Sequence, residues 1–101
     1  MNDTPVIIVV PIHAQPQFRD QIKNMLVDLA QKTRGEAGND FYILHESTNQ
    51  PNSFVIYERW KNQAALDFHM KQEYLVNFLE NSRTMLAEEL VGMLCQEISV
   101  A

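Results

Sequence analysis

Five branched apolar residues stand in a row at Val6-Ile7-Ile8-Val9-Val10. Branching at Cβ suits an extended backbone, so the run reads as a strand. Successive side chains of a strand point to opposite faces, and this strand is therefore apolar on both. A second candidate strand, Phe54-Val55-Ile56-Tyr57-Glu58-Arg59-Trp60, repeats the pattern. Phe54, Ile56, Glu58 and Trp60 share one face of it, and Val55, Tyr57 and Arg59 the other. Whatever sheet these strands build has two faces to cover, and that requirement constrains the fold more than any other feature.

The rest of the chain supplies cover for one face. From Pro16 the spacing becomes helical, with Phe18, Ile22, Leu26, Leu29, Ala30 and Thr33 on one stripe. Arg34 suits that helix's C-terminal dipole and Gly35 supplies the stop. Phe41 to Glu46 reads as another strand, and the turn formers Thr48 to Asn52 join it to the Phe54 strand as a hairpin. Asn62 is a good N-cap for a helix from Gln63. Helical character is expected to continue, with a break near Asn81-Ser82, through Met85, Leu86 and Leu90. After Gly92 a last strand, Met93 to Val100, is expected, and Pro11 should end or bulge the first one, because it cannot donate to a ladder.

The order is β-α-β-β-α-β, an α+β, ferredoxin-like antiparallel sheet with its helices on one face. A length of 101 residues predicts one domain over residues 1–101. No third layer remains for the helix-free face. Self-association of two sheets as a homodimer is the economical way to cover it.

Charge and cysteine usage exclude several function classes. A net charge of −5 with eight Lys and Arg gives no basic face for phosphates, so nucleic acid is not expected as a partner. Cys95 is the only cysteine, which points to a reducing compartment and, among apolar neighbours, to a packed thiol. The stretch Met1 to Pro5 carries an acid rather than a basic leader, and Val6 to Val10 is too short to span a membrane. A cytoplasmic protein without a membrane partner is the expectation.

His69 is the leading catalytic candidate, because imidazole exchanges protons near neutral pH. With Ala65, Gln72, Val76 and Leu79 it falls on the helix stripe that should face the sheet. It reads also as a core histidine satisfied by a backbone or carboxylate partner. Glu58 points into a covered face and needs a partner, for which His69 and Arg59 are the candidates, Arg59 projecting to the opposite side; it reads also as half of a strand-end ion pair. Trp60 is either a pocket wall or a core aromatic, and Tyr74 either a ligand contact or an interfacial residue. His13, His45 and His69 lie on three elements without ligand spacing, so no metal is expected. The chain has no Gly-rich phosphate loop, dinucleotide fingerprint or nucleophile elbow, and no bound organic cofactor is expected either.

Thr33-Arg34-Gly35-Glu36-Ala37-Gly38, Tyr42-Ile43-Leu44-His45, Phe54 to Trp60, Ala65-Leu66 and His69 together resemble the antibiotic biosynthesis monooxygenase (ABM) family. Its pattern is Arg-x-Glu-Pro-Gly, a Tyr-led second strand, Tyr-Glu-x-Trp, Ala-Leu and His, in this order. The resemblance spans nearly the whole chain and is densest from Thr33 to Leu79. It implies a dimeric α/β barrel of ferredoxin-like subunits, with a pocket between sheet and helices on the Trp60 and His69 side. Ala37 replaces the family's Pro, Tyr74 stands where a second His often follows, and the first strand lacks the Asn of the haem-degrading branch. The activity implied is cofactor-independent monooxygenation of a small phenolic or quinol-like molecule by O₂. His69 would be the base, Glu58 its orienting carboxylate, and Trp60, Phe54, Phe68, Tyr74 and Tyr42 the substrate-binding residues. Two alternatives stay open: an isomerase or degradation enzyme for a small carbonyl metabolite, of the autoinducer-degrading type, and a non-enzymatic ligand-binding dimer.

Overall fold

The Val6–Val10 run lies within a long central strand of a four-stranded antiparallel sheet. A computed structural model describes residues 3–101; Met1 and Asn2, at the start of the stretch read above as lacking a leader, lie outside the described residues. In chain order the elements are β1 (Val6–His13), α1 (Arg19–Thr33, entered through a 3₁₀ turn at Pro16–Phe18), β2 (Asn39–Glu46), β3 (Ser53–Trp60), α2 (Gln63–Met70), α3 (Glu73–Ser82) and β4 (Met93–Cys95). The sheet order is β2-β3-β1-β4, the ferredoxin-like arrangement. β1 pairs with β3 along its whole length, from Val6 opposite Trp60 to His13 opposite Ser53. The β2–β3 turn closes with Asn52 in the left-handed region at φ 62°, a conformation asparagine tolerates.

α1 packs Ile22, Leu26, Leu29, Ala30 and Thr33 inward, the stripe read from the sequence less Phe18, which is only half-buried. These side chains meet Ile8 and Ile12 of β1, Phe54, Ile56 and Trp60 of β3, and Leu75 and Phe78 of α3 in one core. Each fully buried aliphatic or aromatic side chain contributes about 1.5–3 kcal/mol, so this layer carries most of the fold's stability.

Several local expectations are corrected. Pro11 neither ends nor bulges β1: it sits in regular register opposite Val55. β4 pairs only with Ile7 to Val9, so at Pro11 the strand has a neighbour on one side only, and the missing N–H costs no ladder bond. Gly35 does not take the left-handed stop conformation. The helix end is tightened instead by Gly35 N–H to Lys32 O and Glu36 N–H to Thr33 O, at 3.1 and 3.0 Å.

The second helical region breaks at Lys71-Gln72, earlier than the sequence suggests, and ends at Ser82. Met85, Leu86 and Leu90 are not helical. The chain there runs beside β1, where Gln15 N–H bonds Met85 O at 2.9 Å and Ala87 N–H bonds His13 O at 2.7 Å. The side-chain amide of Gln15 also holds the Thr84 and Leu86 carbonyls. These carbonyls gain partners outside the chain's own i+4 ladder, which favours the extended path over a helix. The last strand is three residues long rather than eight; beyond Cys95 the chain pairs with no strand, and Ile98 is 82% exposed.

On the helix-free face Ile7 is buried and Val9 and Val55 are half-buried, while Ile43 and Tyr57 are exposed. No helix among the described residues is long and apolar enough to cross a membrane.

Candidate active site

α2 starts where Asn62 Oδ1 accepts the Ala65 N–H at 2.8 Å, a side-chain cap that sets the helix's phase. That phase turns Leu66 and His69 toward the sheet and leaves Phe68, one position earlier and about 100° round the helix, in solvent. His69 lies over Trp60, with ring centroids 4.4 Å apart and planes tilted by 32°. Trp60 is fully buried, and its indole N–H donates to Glu58 Oε1 at 2.8 Å. Residues 58 and 60 can meet this way because alternation puts them on one face.

The partner of His69 is Glu36, not Glu58. Nδ1 of the imidazole lies 2.7 Å from Glu36 Oε2, and both side chains are almost wholly enclosed. A carboxylate only accepts hydrogen bonds, so it takes the Nδ1–H and leaves Nε2 as the nitrogen that can exchange a proton. The Tyr74 hydroxyl donates to the same Glu36 oxygen, while Oε1 is buried without a partner. The break at Lys71-Gln72 separates Tyr74 from α2 and lets it approach from α3.

Glu36 stands on a short loop pinned at several points. Asn39 N–H bonds the Glu36 carbonyl, Lys61 N–H bonds the Gly38 carbonyl, and the Arg34 side chain holds the Tyr42 carbonyl. Gly38 packs against the first turn of α2 so tightly that an added Cβ would lie 2.4 Å from the Ala65 methyl. The loop can therefore approach α2 only with no side chain at residue 38.

Beside this pair lies a cavity of about 410 Å³, within the range of small-molecule sites. Its wall is mostly aliphatic, from Ile8, Val10, Ile12 and Ile56 of the sheet, Leu66 and Met70 of α2, and Leu75 and Phe78 of α3. Leu90, Gly92 and Leu94 close one side. The polar lining is Tyr42, Glu58, Gln63, Asp67 and His69, with no Lys or Arg among the lining residues.

Burial pushes the Glu58 carboxyl up to about 7; the Trp60 N–H partly offsets it and the Glu36 charge adds to it. Tyr42 is pushed above the ordinary phenol range, by burial first and the Glu58 charge second. Tyr74 rises likewise, by burial and then by donating to Glu36. The Thr33 hydroxyl, near both phenols without a hydrogen bond of ordinary geometry, moderates both shifts.

Of the seven residues singled out from the sequence, His69, Glu58 and Tyr42 line the cavity. Trp60 stacks on His69 and Tyr74 donates to its partner Glu36, and neither is among the residues that line the cavity. Phe54 shares the right sheet face but is sealed in the core at the far end of β3, with Arg19 over its ring. Phe68 is 60% exposed on the outer side of α2 and forms no part of the wall. Sequence reasoning missed Glu36 as the histidine's partner. A glutamate between two glycines after a helix reads as solvated, and its only signal was its place in the resembled Thr33–Gly38 segment. Among the described residues no three His, Cys, Asp or Glu side chains gather as a metal site.

This chain belongs to the antibiotic biosynthesis monooxygenase family, whose model matches residues 5–81. It is 30% identical over 86 residues to the uncharacterized protein sll1783 of Synechocystis, covering 85% of this chain and 58% of that protein's length. It is 29% identical over 85 residues to a Bacillus subtilis protein named "Putative monooxygenase YcnE", covering 84% of this chain and 90% of YcnE. The solved structure of Rv0793 from Mycobacterium tuberculosis superposes with a TM-score of 0.90 at 23% identity, over 97% of this chain and 99% of that one, and is similar in fold.

Proposed function

We propose that the protein oxidises a small phenolic or quinol-like molecule directly with O₂, without a bound organic cofactor. The observation that carries this reading is the Glu36–His69 pair at the wall of an aliphatic cavity. Nε2 of His69 takes the proton of the substrate hydroxyl or activated carbon, and Glu36 stabilises the imidazolium that results. The electron-rich anion then reduces O₂, while the apolar wall excludes water from the intermediate. Trp60 backs the imidazole and Tyr74 anchors Glu36, so both act through His69.

A carbonyl isomerase acting on a phosphorylated compound fits this wall less well. Among the described residues no Lys or Arg lines the cavity, and Arg59 is paired with Asp40 and Glu97 instead. Two chains joined through their helix-free sheet faces would cover Ile43 and Tyr57, giving the dimer that the apolar strands call for. Sedimentation of wild type and Tyr57→Glu tests that assembly: a monomeric wild type would remove it.

The activity test is oxygen uptake with hydroquinones, naphthoquinols and anthrones. Uptake by wild type and its loss in His69→Ala are expected. No uptake above buffer, or equal rates in the two proteins, would overturn the reading. Binding of these compounds without turnover would instead favour a ligand-binding role.

A further inference from the structure

With Glu36 engaged on His69, Glu58 is a buried carboxyl without a task. It is 4% exposed, in the middle of the sheet between Ile8 of β1 and Tyr42 of β2. Oε1 accepts the Trp60 N–H. Among the described residues the second oxygen has no hydrogen-bond partner, and the side chain lines the cavity. Among the described residues no Lys, Arg or His lies within ion-pair distance of it.

The groups around it come from every packed element. Tyr42 faces it from β2, His69, Asp67 and Gln63 share the cavity wall from α2, and Glu36 adds its charge from the loop. None supplies a cation to hold Glu58 ionised, apart from His69 once it has taken a proton. A desolvated carboxyl in such company keeps its proton near neutral pH. Two carboxyls are thus held in opposite roles, one committed to the imidazole and one carrying a transferable proton.

Resting on the oxidative reading above, we propose that Glu58 is the acid of the site, donating its proton to the peroxide that O₂ forms on the substrate and then removing the last proton from the oxidised carbon. The steps balance. His69 Nε2 takes a proton from the substrate, leaving an anion. The anion passes one electron to O₂ and the resulting radical pair joins, so that the carbon is oxidised and bears a peroxide anion. Glu58 protonates the terminal oxygen, giving a hydroperoxide and a carboxylate. That carboxylate takes the hydrogen remaining on the same carbon as a proton. The C–H electron pair becomes the second bond of the new C=O, and the O–O bond breaks. The hydroxide leaving takes the proton from imidazolium as water. One substrate and one O₂ give one ketone or quinone and one water, and both side chains return to their starting states.

Glu58→Gln separates this acid from a merely structural polar group. The amide oxygen still accepts the Trp60 N–H, but the side chain has no ionisable proton. Trp60 is the only tryptophan, so its emission reports the carboxyl it touches. Because His69 also lies against the indole, the comparison is made in a His69→Ala background, where emission should titrate with a midpoint near pH 7 with Glu58 present and stay flat with Glu58→Gln. With a quinol that wild type oxidises, Glu58→Gln should turn over about 10²-fold more slowly and release peroxide in place of water. If wild type consumes oxygen but Trp60 shows no titration, or if Glu58→Gln keeps full rate without peroxide, Glu58 is not the acid. If wild type consumes no oxygen with any compound, the oxidative reading fails and the peroxide step with it; a Trp60 titration lost in Glu58→Gln would still identify the proton held there.

Discussion

Glu36 and Glu58 are the same residue type, both buried near one imidazole, yet the backbone under each gives it a different neighbourhood. The loop between Gly35 and Gly38 brings Glu36 edge-on to His69 and Tyr74, two donors on a single oxygen. Strand alternation gives Glu58 the neighbours of its own face, Trp60 along β3 and Ile8 and Tyr42 across it, and none of these is a cation. An irregular segment can deliver a carboxylate to a partner 33 residues away in sequence. A strand offers only what the register places beside it. That difference separates a partner of a base from a holder of a proton.

The sharpest way to break the comparison is Glu36→Ala. It removes the acceptor for both His69 Nδ1–H and the Tyr74 hydroxyl, and turnover of an accepted quinol should fall by roughly 10²–10³-fold. Nitrogen-15 NMR of labelled histidine should show His69 leaving its single Nδ1–H tautomer; an unchanged tautomer would mean Glu36 does not set it.

Next comes pH. Glu58 has its folded-state value raised, from 4.5 to about 7, so the folded chain binds more protons than the unfolded one between these limits. Stability from this group is complete below about 4.5 and is lost as pH rises through about 7. The loss is on the order of 3 kcal/mol. Urea unfolding at pH 4.5 and pH 8 should show that loss in wild type relative to Glu58→Gln, and parallel curves would refute it.

Tyr74→Phe should act more gently, because Glu36 keeps its bond to His69. A loss of about 1 kcal/mol in unfolding free energy and a several-fold lower kcat with KM unchanged are expected. A rise in KM instead would make Tyr74 a ligand contact. Smallest of all is Phe68→Ser, outside the cavity wall, which should leave turnover within about twofold and stability within about 0.5 kcal/mol. A large effect would show that Phe68 meets a ligand or a second chain.

Much of this frame was legible in the residues. The branched run marked β1, the stripe from Ile22 to Thr33 marked the inward face of α1, and parity placed Glu58 beside Trp60. His69 could be assigned to the sheet-facing side of its helix, but the stripe continued through Val76 and Leu79 was misplaced: the break at Lys71-Gln72 rotates Leu75 and Phe78 inward and leaves those two exposed. What escaped depended on contacts distant in sequence. Gln15 captures carbonyls of residues 84 and 86, and so keeps extended a segment whose composition suits a helix. Pro11 is harmless because β4 stops short of it. Glu36 could not be joined to His69 without knowing that Gly38 lets a loop touch α2. Phe54 and Phe68 lie outside the cavity wall because sharing a sheet face or adjoining a histidine does not fix position along the strand or around the helix.

The missing side chain at Gly38 also has a consequence for the order in which the molecule acquires its chemistry. His69 gains its partner only when the loop before β2 has closed onto a helix that follows β3. That contact cannot exist until the hairpin and α2 have docked. A chain that has collapsed but not yet seated this loop would bury an imidazole with neither fixed tautomer nor counter-charge. The reactive centre thus matures only with that long-range docking step, and the His69 tautomer followed during refolding would time it.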